Sequence, residues 1–488
     1  MRRRQKDESW AYNLLADFLA IVCAYYTGMM IRFQSAWGDQ FFTGVNRFLR
    51  VRETADVGDG FGVFYLASAP RIVLILTVTL CTLYALRDLY AGWRFVGRRP
   101  LTWNVVVANT LALGIFYAYF YLSRNVFHPR SFFATVIVLN VLFCVAFRSI
   151  VGDLAEFVRS KFTRMRCRAL LVGRDKAASM IEDYIDTIHP HGIEIVDRIV
   201  ETSGQPFDDL LADIIRAARE RGADMLITAE ESFSVAEIMR LLEVADGLDI
   251  PVKVLSDKLD VLLHRARLPV DMIRGLPLVH FDAPSTSNRF ERLRRYQSFV
   301  VALLGLVVTL PLMLVITILI AATSRGSVFF IQERIGVNRK PFRMIKFRTM
   351  KDRADEMQAE VEEFNESGPG LFKIRKDPRV TPVGRFLRRF SLDELPQLLN
   401  VIRGEMVIVG PRPLPRRDFE NYYEEWHYSR HSGMPGLTCL WQVSGRSEID
   451  FHNMCILDVY YLRNRSWVLD LKIVLRTALA VVFARGAY

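Results

Sequence analysis

Four apolar stretches in the first third of the chain constrain its fold more than any other feature. They cover approximately Leu14–Phe33, Arg71–Leu86, Asn104–Leu122 and Ser131–Ile150. A helix that crosses a bilayer needs about 20 apolar residues, and it satisfies its own backbone hydrogen bonds inside the lipid. The first stretch has no small-residue cleavage site, which favours an uncleaved anchor over a signal peptide. We therefore predict a four-helix transmembrane unit over residues 1–158.

The basic residues around these stretches predict the orientation of the unit. Lysines and arginines are concentrated before the first stretch, between the second and the third, and after the fourth. Because basic loops stay on the cytoplasmic side of a membrane, both ends of the unit are predicted to be cytoplasmic. The six cysteines include no CxxC pair, which fits a reducing compartment.

A fifth apolar stretch, Ser298–Ala322, conflicts with this orientation if it also crosses the membrane, because both of its flanks are basic. Pro311 lies at its middle, where it removes one helical hydrogen bond and clashes with the preceding turn. Thr309 stands two residues earlier and is placed to cover a freed carbonyl. A helix that enters, bends and returns to the same face satisfies the charge rule, so we predict a re-entrant helix broken near Pro311. A kinked helix that crosses fully is the alternative that the local sequence leaves open.

Residues 159–290 show short apolar strands that alternate with amphipathic helices. Strands are predicted at 168–173, 193–200, 224–228 and 250–255, and helices at 176–188, 207–221 and 234–245. This alternation is typical of a parallel sheet, so we predict a cytoplasmic α/β Rossmann-like domain. Its first turn contains one glycine, Gly173, where a dinucleotide fingerprint needs three. A structural or dimer-forming role is therefore favoured over a bound nucleotide.

Residues 291–488 are dense in cationic, acidic and turn-forming motifs. The segment Phe342–Met350 alternates apolar and basic side chains, which predicts a strand that presents Lys346 and Arg348. Three further segments combine charged residues with turns that glycine and proline fix. They are Phe386–Gln397, Val409–Pro413 and Met434–Arg446.

The adjacent acids Asp393 and Glu394 are the candidates for chemistry. Ser391 precedes Glu394 by three residues, so one interpretation is a capping box with both acids favoured by a helix dipole. In the other interpretation, Asp393 lies near a helix N-terminus and Arg388, stays ionised and acts as a nucleophile. Glu394 then holds Mg²⁺, which prefers oxygen ligands and bridges diphosphate oxygens. Three arginines supply forked donors for phosphate: Arg388, Arg412 and Arg446.

These motifs resemble those of the bacterial sugar transferases, the monotopic polyprenyl-phosphate phosphoglycosyltransferases. The blocks Lys-Phe-Arg-Thr-Met, Ser-Leu-Asp-Glu-Leu-Pro-Gln, Val-Gly-Pro-Arg-Pro and Pro-Gly-Leu-Thr-Cys-Leu-Trp-Gln-Val-Ser-Gly-Arg follow the family's order within residues 297–472. The whole chain resembles the long form, the undecaprenyl-phosphate galactose or glucose phosphotransferase type. That resemblance implies an α/β catalytic domain with a membrane-dipping helix, placed on the cytoplasmic face of the bacterial inner membrane.

The resemblance also implies a two-step transfer of a hexose-1-phosphate. Asp393 attacks the β-phosphorus of a UDP-sugar (UDP-galactose or UDP-glucose) and UMP leaves. Undecaprenyl phosphate then takes up the phosphosugar, as the first membrane step of exopolysaccharide, capsule or O-antigen synthesis. Glu394 falls on the family's Mg²⁺-binding glutamate, and Arg388 on a basic position that serves phosphate binding. The residues predicted to bind substrate are Lys346, Arg348, Arg412 and Arg446.

Two positions depart from the family's pattern. Cys439 stands where the family commonly has glycine, and Ile408 where a serine usually precedes the Val-Gly-Pro-Arg block. The first bears on the backbone near the nucleotide, and so on the choice of sugar. Neither touches the acidic pair, so both are compatible with activity.

The charge of the chain requires an acidic partner. Lysine and arginine total 64 against 53 aspartate and glutamate, a net charge of +11. Anionic membrane lipids supply that partner, and no nucleic-acid-binding motif accompanies the charge, so nucleic acid is not expected. The alternative function is a non-catalytic membrane scaffold or regulator with a Rossmann-like sensor domain. A transporter is disfavoured because most of the chain lies outside the apolar stretches.

Weaker constellations have plainer explanations. His427, His431 and Cys439 have a spacing that a zinc site can use, but a solvated helical face is favoured. Asp17 borders an apolar stretch, and a helix-end position is favoured over ion translocation. The sequence does not determine the sugar, and it leaves open whether the protein forms a homodimer.

Overall fold

The chain forms two compact units, which hold residues 1–168 with 182–194 and residues 169–181 with 195–488. The computed structural model describes residues 9–35, 40, 59–87, 89–90, 101–122, 130–161, 167–173, 175–188, 193–200, 205–229, 233–266, 268, 271–273, 276–282, 288–351, 354, 377–445 and 449–482.

Four helices lie in the described part of the first unit, at the places of the four predicted stretches. They are α1 (Ser9–Phe33), α2 (Asp59–Leu86), α3 (Leu101–Leu122) and α4 (Arg130–Lys161). The predicted set of four apolar helices is therefore confirmed. Among the described residues, the helices long and apolar enough to cross a membrane are Trp10–Phe33, Gly62–Leu86, Phe132–Leu154 and Glu291–Thr323. The first three correspond to predicted transmembrane stretches, and the last contains the fifth apolar stretch. These helices are those of a membrane protein.

A buried ion pair connects α1 and α4. Arg148 donates from Nε to Oδ1 of Asp17 at 2.8 Å and from Nη2 to Oδ2 at 2.5 Å. Tyr90 donates its hydroxyl to the same carboxylate at 2.7 Å. Asp17 is fully buried inside α1, so its predicted helix-end position is wrong. Hydropathy could not reveal this, because the counter-charge that makes the burial tolerable lies 131 residues away.

Most of a six-stranded sheet belongs to the second unit. The strands are β1 (Cys167–Val172), β2 (Ile193–Ile199), β3 (Met225–Thr228), β4 (Val252–Leu255), β5 (Asp271–Ile273) and β6 (Leu276–Phe281). The helices of this part are α5 (Asp175–Ile188), α6 (Phe207–Arg221), α7 (Val235–Leu248) and α8 (Asp260–His264). The strands lie in the order β2-β1-β3-β4-β6-β5, and the predicted alternation of strands and helices is confirmed.

The sheet is mixed rather than wholly parallel. β1, β3 and β4 are parallel, with Ala169 opposite Met225 and Leu226 opposite Val252. β6 runs antiparallel to both β4 and β5. The prediction of a parallel sheet is thus wrong at this edge. β5 and β6 are joined by residues 274–275 alone, whereas a parallel crossover takes about a dozen residues or more.

The helix α9 (Asn288–Thr323) contains the fifth apolar stretch and has 36 residues with Pro311 inside it. The helix shows no interruption at Pro311, and its predicted re-entrant course remains a prediction. Thr309 donates its hydroxyl to the carbonyl of Gly305 at 2.7 Å. It therefore does not cover the carbonyl of Val307, which is the one that loses its helical donor to Pro311.

Short elements complete the second unit. They are β7 (Phe329–Ile335), β8 (Pro341–Phe347), α10 (Pro382–Arg389), α11 (Gln397–Ile402), β9 (Val407–Val409), α12 (Arg416–Tyr422), β10 (Gly436–Thr438), α13 (Phe451–Arg463) and α14 (Trp467–Val482). β7 and β8 pair antiparallel, and β9 and β10 pair parallel. One buried apolar cluster includes both Leu226 of β3 and Leu457 of α13, so the sheet and α13 share a core.

Candidate active site

The acidic pair lies in a short 3₁₀ turn over Leu392–Glu394. Ser391, directly before it, has φ 53° and ψ 25°, a left-handed conformation that residues other than glycine rarely adopt. The Ser391 side chain makes no capping hydrogen bond, and the Glu394 carboxylate points to cationic partners elsewhere. The capping-box interpretation is therefore wrong. The unusual backbone at Ser391 redirects the chain after α10, which no sequence spacing could indicate.

Two cations hold the carboxylate of Glu394. Arg412 contacts both of its oxygens, Oε1 through Nη2 and Oε2 through Nη1 at 3.4 Å. Lys346 Nζ lies 3.3 Å from Oε1. Burial alone would raise the pKa of Glu394, but the two cations outweigh it and hold that pKa well below its ordinary value. Glu394 is therefore anionic at neutral pH, and three of the predicted site residues are brought together.

The strand β8 presents Lys346, as its alternating pattern predicts. β8 pairs along its whole length with β7, from Phe329 opposite Phe347 to Ile335 opposite Pro341. Burial lowers the pKa of Lys346, while the neighbouring Glu394 opposes the change. The charged form of Lys346 is therefore stabilised by Glu394 and not by solvent.

The loop after β9 presents Arg412, and a second motif supports this loop. β9 and β10 pair with Val407 opposite Gly436, so the Val-Gly-Pro-Arg-Pro and Pro-Gly-Leu-Thr blocks are neighbours. A Cβ atom at Gly436 would lie 2.1 Å from the backbone nitrogen of Gly410. Only a residue without a side chain allows this approach. The two sequence blocks thus form one piece of structure, which carries the arginine.

Asp393 is half-buried and accepts no hydrogen bond from the residues that the structure describes. Burial raises the pKa of Asp393, with Lys346 opposing the rise and Glu394 adding to it. We expected Arg388 to lower this pKa, and its charge does act in that direction. Burial is the larger effect. The result is a carboxylate without a protein donor beside three cations, which is the environment of a nucleophile that meets a phosphate.

Arg388 lies in the last turn of α10 and its charge acts on Asp393. Its Nε donates to the hydroxyl of Thr349 at 2.9 Å. Burial lowers the pKa of Arg388, and Asp393 opposes the change. Sequence reasoning assigned no role to Thr349, although it lies inside the Lys-Phe-Arg-Thr-Met block.

Of the two remaining predicted residues, the structure describes Arg348 alone, and it does not bring Arg348 to the acidic pair. Arg348 donates from Nη2 to the carbonyl of Ser324 at 3.0 Å, directly after the end of α9. In the described contacts it reaches neither acid, and it lies directly after the end of β8 at Phe347. Arg446 lies outside the described residues.

A buried ion pair behind Arg412 was missed from the sequence. Arg430 and Asp458 are each 1% exposed. Arg430 donates to Oδ2 of Asp458 at 3.1 and 2.5 Å, and to the carbonyl of Arg412 at 2.8 Å. Burial raises the pKa of Asp458 to about 6, against the lowering effect of Arg430. The sequence offered two weak signals of this ion pair. Arg430 lies shortly before the Pro435-Gly436 turn, and Asp458 lies inside an apolar helix pattern.

The histidines are interior residues and do not form a solvated face. His427 and His431 are 2% and 7% exposed, and burial lowers their pKa values to about 4 and about 3. The expectation of a solvated helical face is therefore wrong. His431 contacts the Gly336 carbonyl and the Tyr423 hydroxyl, at 3.1 and 3.0 Å. Both ring nitrogens are thus engaged within the protein.

One cluster of metal-ligand type occurs among the described residues, formed by Glu424, His427 and His452 within 4.8 Å. However, Nδ1 of His427 accepts the backbone N–H of Glu424 at 2.9 Å. In a neutral imidazole the proton is then on Nε2. Neither nitrogen of His427 offers a free lone pair in this arrangement, so the cluster does not have the chemistry of a zinc site.

Cys439, which departs from the common glycine, is buried and donates its thiol to Oε1 of Gln442 at 3.1 Å. Burial raises its pKa well above the usual range. The neutral thiol lies near Arg412. Ile408 donates its backbone N–H to the hydroxyl of Ser298 at 3.3 Å, which connects β9 to α9.

Two parts of the chain match known protein families. Residues 289–484 match the bacterial sugar transferase family, and residues 85–254 match a family described as a CoA-binding domain. The exopolysaccharide production protein ExoY of Sinorhizobium fredii is 42% identical over 202 residues, which are 40% of this chain and 88% of that protein.

Two longer relatives are similar over more of the chain. The undecaprenyl-phosphate galactose phosphotransferase of Salmonella typhimurium is 34% identical over 244 residues, 45% of this chain and 50% of that protein. The UDP-glucose:undecaprenyl-phosphate glucose-1-phosphate transferase of Klebsiella pneumoniae is 31% identical over 286 residues, 57% of this chain and 58% of that protein. The chain therefore belongs to the bacterial sugar transferase family, in its long form, and is a transferase.

Proposed function

We propose that this transferase moves a hexose-1-phosphate from a UDP-sugar to undecaprenyl phosphate, with UMP as the other product. The observation that carries the proposal is the acidic pair itself. Glu394 is held by Lys346 and Arg412, while Asp393 beside it has no protein donor among the described residues. The names of the relatives in Salmonella and Klebsiella support the same lipid acceptor, with galactose in one and glucose in the other.

The chemistry is a pair of displacements at phosphorus. In the first, a carboxylate oxygen of Asp393 bonds to the β-phosphorus and the bond to the bridging oxygen of UMP breaks. In the second, a phosphate oxygen of undecaprenyl phosphate bonds to the same phosphorus and the carboxylate leaves. Neither step needs a proton from the protein. Arg388, Lys346 and Arg412 supply positive charge where the phosphoryl oxygens pass, and such positioning and neutralisation are the main contributions to phosphoryl transfer.

The donor set fits Mg²⁺. Glu394 and the neighbouring Asp393 offer carboxylate oxygens, the ligands that this ion prefers, and when bound it would neutralise charge on the diphosphate. Arg412 and Lys346 now hold Glu394. The diphosphate oxygens of a donor are alternative partners for these two cations, so the carboxylate can be freed when the donor arrives.

We place the reaction at the cytoplasmic face of the bacterial inner membrane, with α9 dipping into the lipid. Ala302 packs with Met344 and Leu398, and Ile320 packs with Phe347 and Leu387. These two α9 residues are 18 apart, about 27 Å along a helix, which approaches the roughly 30 Å of the hydrocarbon core. A helix that crossed the bilayer would carry one of them away from the unit.

The opposite face of α9 is apolar and exposed. Its exposed large side chains include Leu304, Val307, Val308, Leu314 and Ile318. A helix with one face on the catalytic part and the other open to lipid suits an enzyme whose acceptor is a lipid. Cysteines at Tyr296 and Arg325, which are both exposed, should react with a membrane-impermeant maleimide from the same side. Labelling from opposite sides would refute the dipping course.

The enzymatic test is UMP release from UDP-hexoses in the presence of Mg²⁺. Without undecaprenyl phosphate, the two-step scheme predicts at most one UMP per enzyme, and with the lipid it predicts continuous release. Acid quench and mass spectrometry should find the phosphosugar on the peptide that contains Asp393. Asp393→Asn should release none, whereas Glu425→Gln, which changes an exposed carboxylate of the same unit, should match the wild type. Full activity of Asp393→Asn would disprove the mechanism.

A further inference from the structure

A single hydrogen bond orients Arg388 from behind. Its Nε donates to Oγ1 of Thr349 at 2.9 Å. Among the described residues, neither Nη1 nor Nη2 donates to a protein group. A guanidinium that is fixed at Nε keeps its two terminal nitrogens in a defined plane. This is the geometry with which an arginine binds two oxygens of one phosphate.

Thr349 is itself fixed by the first turn of α10. Its carbonyl accepts hydrogen bonds from the backbone nitrogen of Thr381 at 3.0 Å and from the hydroxyl of Thr381 at 3.3 Å. That hydroxyl also caps α10 by accepting the N–H of Gly384 at 2.9 Å. Thr349 is 6% exposed, so neither its backbone nor its side chain has room to reorient.

Gly384 allows Thr349 to approach α10 so closely. A Cβ atom at Gly384 would lie 2.0 Å from the carbonyl oxygen of Thr349. Gly384 and Arg388 are four residues apart and therefore lie on the same face of α10. Because Gly384 has no side chain, Thr349 lies against this face, and its hydroxyl reaches Arg388 one turn further along.

We propose that Thr349 is a positioning residue of the transfer reaction, which aims the fork of Arg388 at the phosphate that Asp393 attacks. This inference rests on the proposed function. The same short segment also supplies Lys346 to Glu394. Lys346 thus acts on Glu394 through its charge, and Thr349 acts on the surroundings of Asp393 by orienting Arg388.

The test compares two substitutions of nearly equal size at residue 349. Thr349→Val keeps the shape but leaves Nε without an acceptor. It should lower the rate of UMP release about 10- to 100-fold, as expected for a lost hydrogen bond to a charged group. Thr349→Ser keeps the hydroxyl and should stay within about threefold of the wild type. Thr323→Val removes a hydroxyl that bonds only the helix backbone of α9, and should leave the rate unchanged.

Two results would overturn the inference: an unchanged rate in Thr349→Val, or equal losses in Thr349→Val and Thr349→Ser. A second measurement tests whether the effect passes through Arg388. In Arg388→Lys the fork is already absent, so adding Thr349→Val should lower the remaining rate by no more than about twofold. An undiminished further loss would place the effect elsewhere and also contradict the proposal.

The Asp393→Asn variant keeps this inference separate from the proposed function. If Asp393→Asn is inactive while Thr349→Val is as fast as the wild type, only the positioning role of Thr349 is wrong. If Asp393→Asn is fully active, the proposed chemistry is wrong, whatever residue 349 does.

Discussion

The replacement Gly384→Ala should damage both the stability and the activity of the second unit. The added Cβ would lie 2.0 Å from the carbonyl oxygen of Thr349, and 2.7 Å from its Cα and carbonyl carbon. Cβ atoms essentially never approach other heavy atoms within 3.0 Å, so Thr349 and α10 must separate by at least about 1 Å to remove the overlap. The atoms in the way belong to the backbone, and no rotamer change can relieve the contact.

The expected cost follows from that displacement. Overpacking a close contact typically costs about 1–3 kcal/mol, and the upper end applies here because the backbone must move. The second unit has roughly 300 residues, and for that size 3 kcal/mol corresponds to a fall in melting temperature of about 5 °C. Displacing Arg388 by about 1 Å should also slow UMP release about 100-fold.

The assays are thermal unfolding of the purified protein in detergent and UMP release from a UDP-hexose. Gly247→Ala is the matched control, because Gly247 lies within α7 and nothing would come within 4 Å of its Cβ. That change should stabilise the protein slightly, by about 0.5–1 kcal/mol. If Gly384→Ala melts and turns over like the wild type, the close contact that orients Arg388 does not exist.

Three further predictions concern buried titratable side chains. Burial lowers the pKa of His431 to about 3, so the stability that its neutral ring contributes is present above pH about 6.5 and is lost as the pH falls towards 3. The melting temperature should therefore fall less between pH 7.5 and 4.5 in His431→Gln than in the wild type, and equal slopes would contradict this. Asp458→Asn leaves Arg430 buried without its anion and should destabilise by about 3–5 kcal/mol. The double variant Arg430→Met/Asp458→Leu should unfold at a higher temperature than Asp458→Asn alone. An equal or lower unfolding temperature would show that Arg430 and Asp458 are not a buried ion pair. In the first unit, Asp17→Asn should lower thermal stability in detergent, and Asp17→Leu/Arg148→Leu should recover part of the loss; a lower melting temperature in the double variant would argue against a charge pair.

The architecture could be predicted to the extent that it depends on local pattern. Four apolar stretches became α1 to α4, because lipid admits no other conformation for such segments. The alternation in residues 168–255 predicted the strands and helices found there, since side-chain periodicity is a property of neighbouring residues. The antiparallel edge was missed because β5 and β6 were not themselves predicted as strands, and because the pairing of β6 with β4 is a non-local choice.

The candidate site could be predicted in composition but not in arrangement. Asp393, Glu394, Arg388 and Arg412 were recognised as a group from their motifs, and the structure does bring them together. The sequence could not show that Glu394 meets Arg412 and Lys346, or that Ser391 adopts a left-handed backbone instead of capping a helix. Each of these outcomes depends on partners that the fold delivers from elsewhere in the chain.

The residues that orient the site became visible only in three dimensions. Thr349 and Arg388 are 39 positions apart, and Arg430 and Asp458 are 28 apart. Such pairs leave no periodic signal, because their spacing is set by the path of the chain and not by the repeat of a helix or strand. Apolar pattern and motif therefore sufficed to predict the apolar helices, the succession of strands and helices along the chain, and the composition of the candidate site. Tertiary packing decided which charges are paired, which carboxylate stays open and what aims each arginine, because those properties depend on burial and on contacts between distant residues.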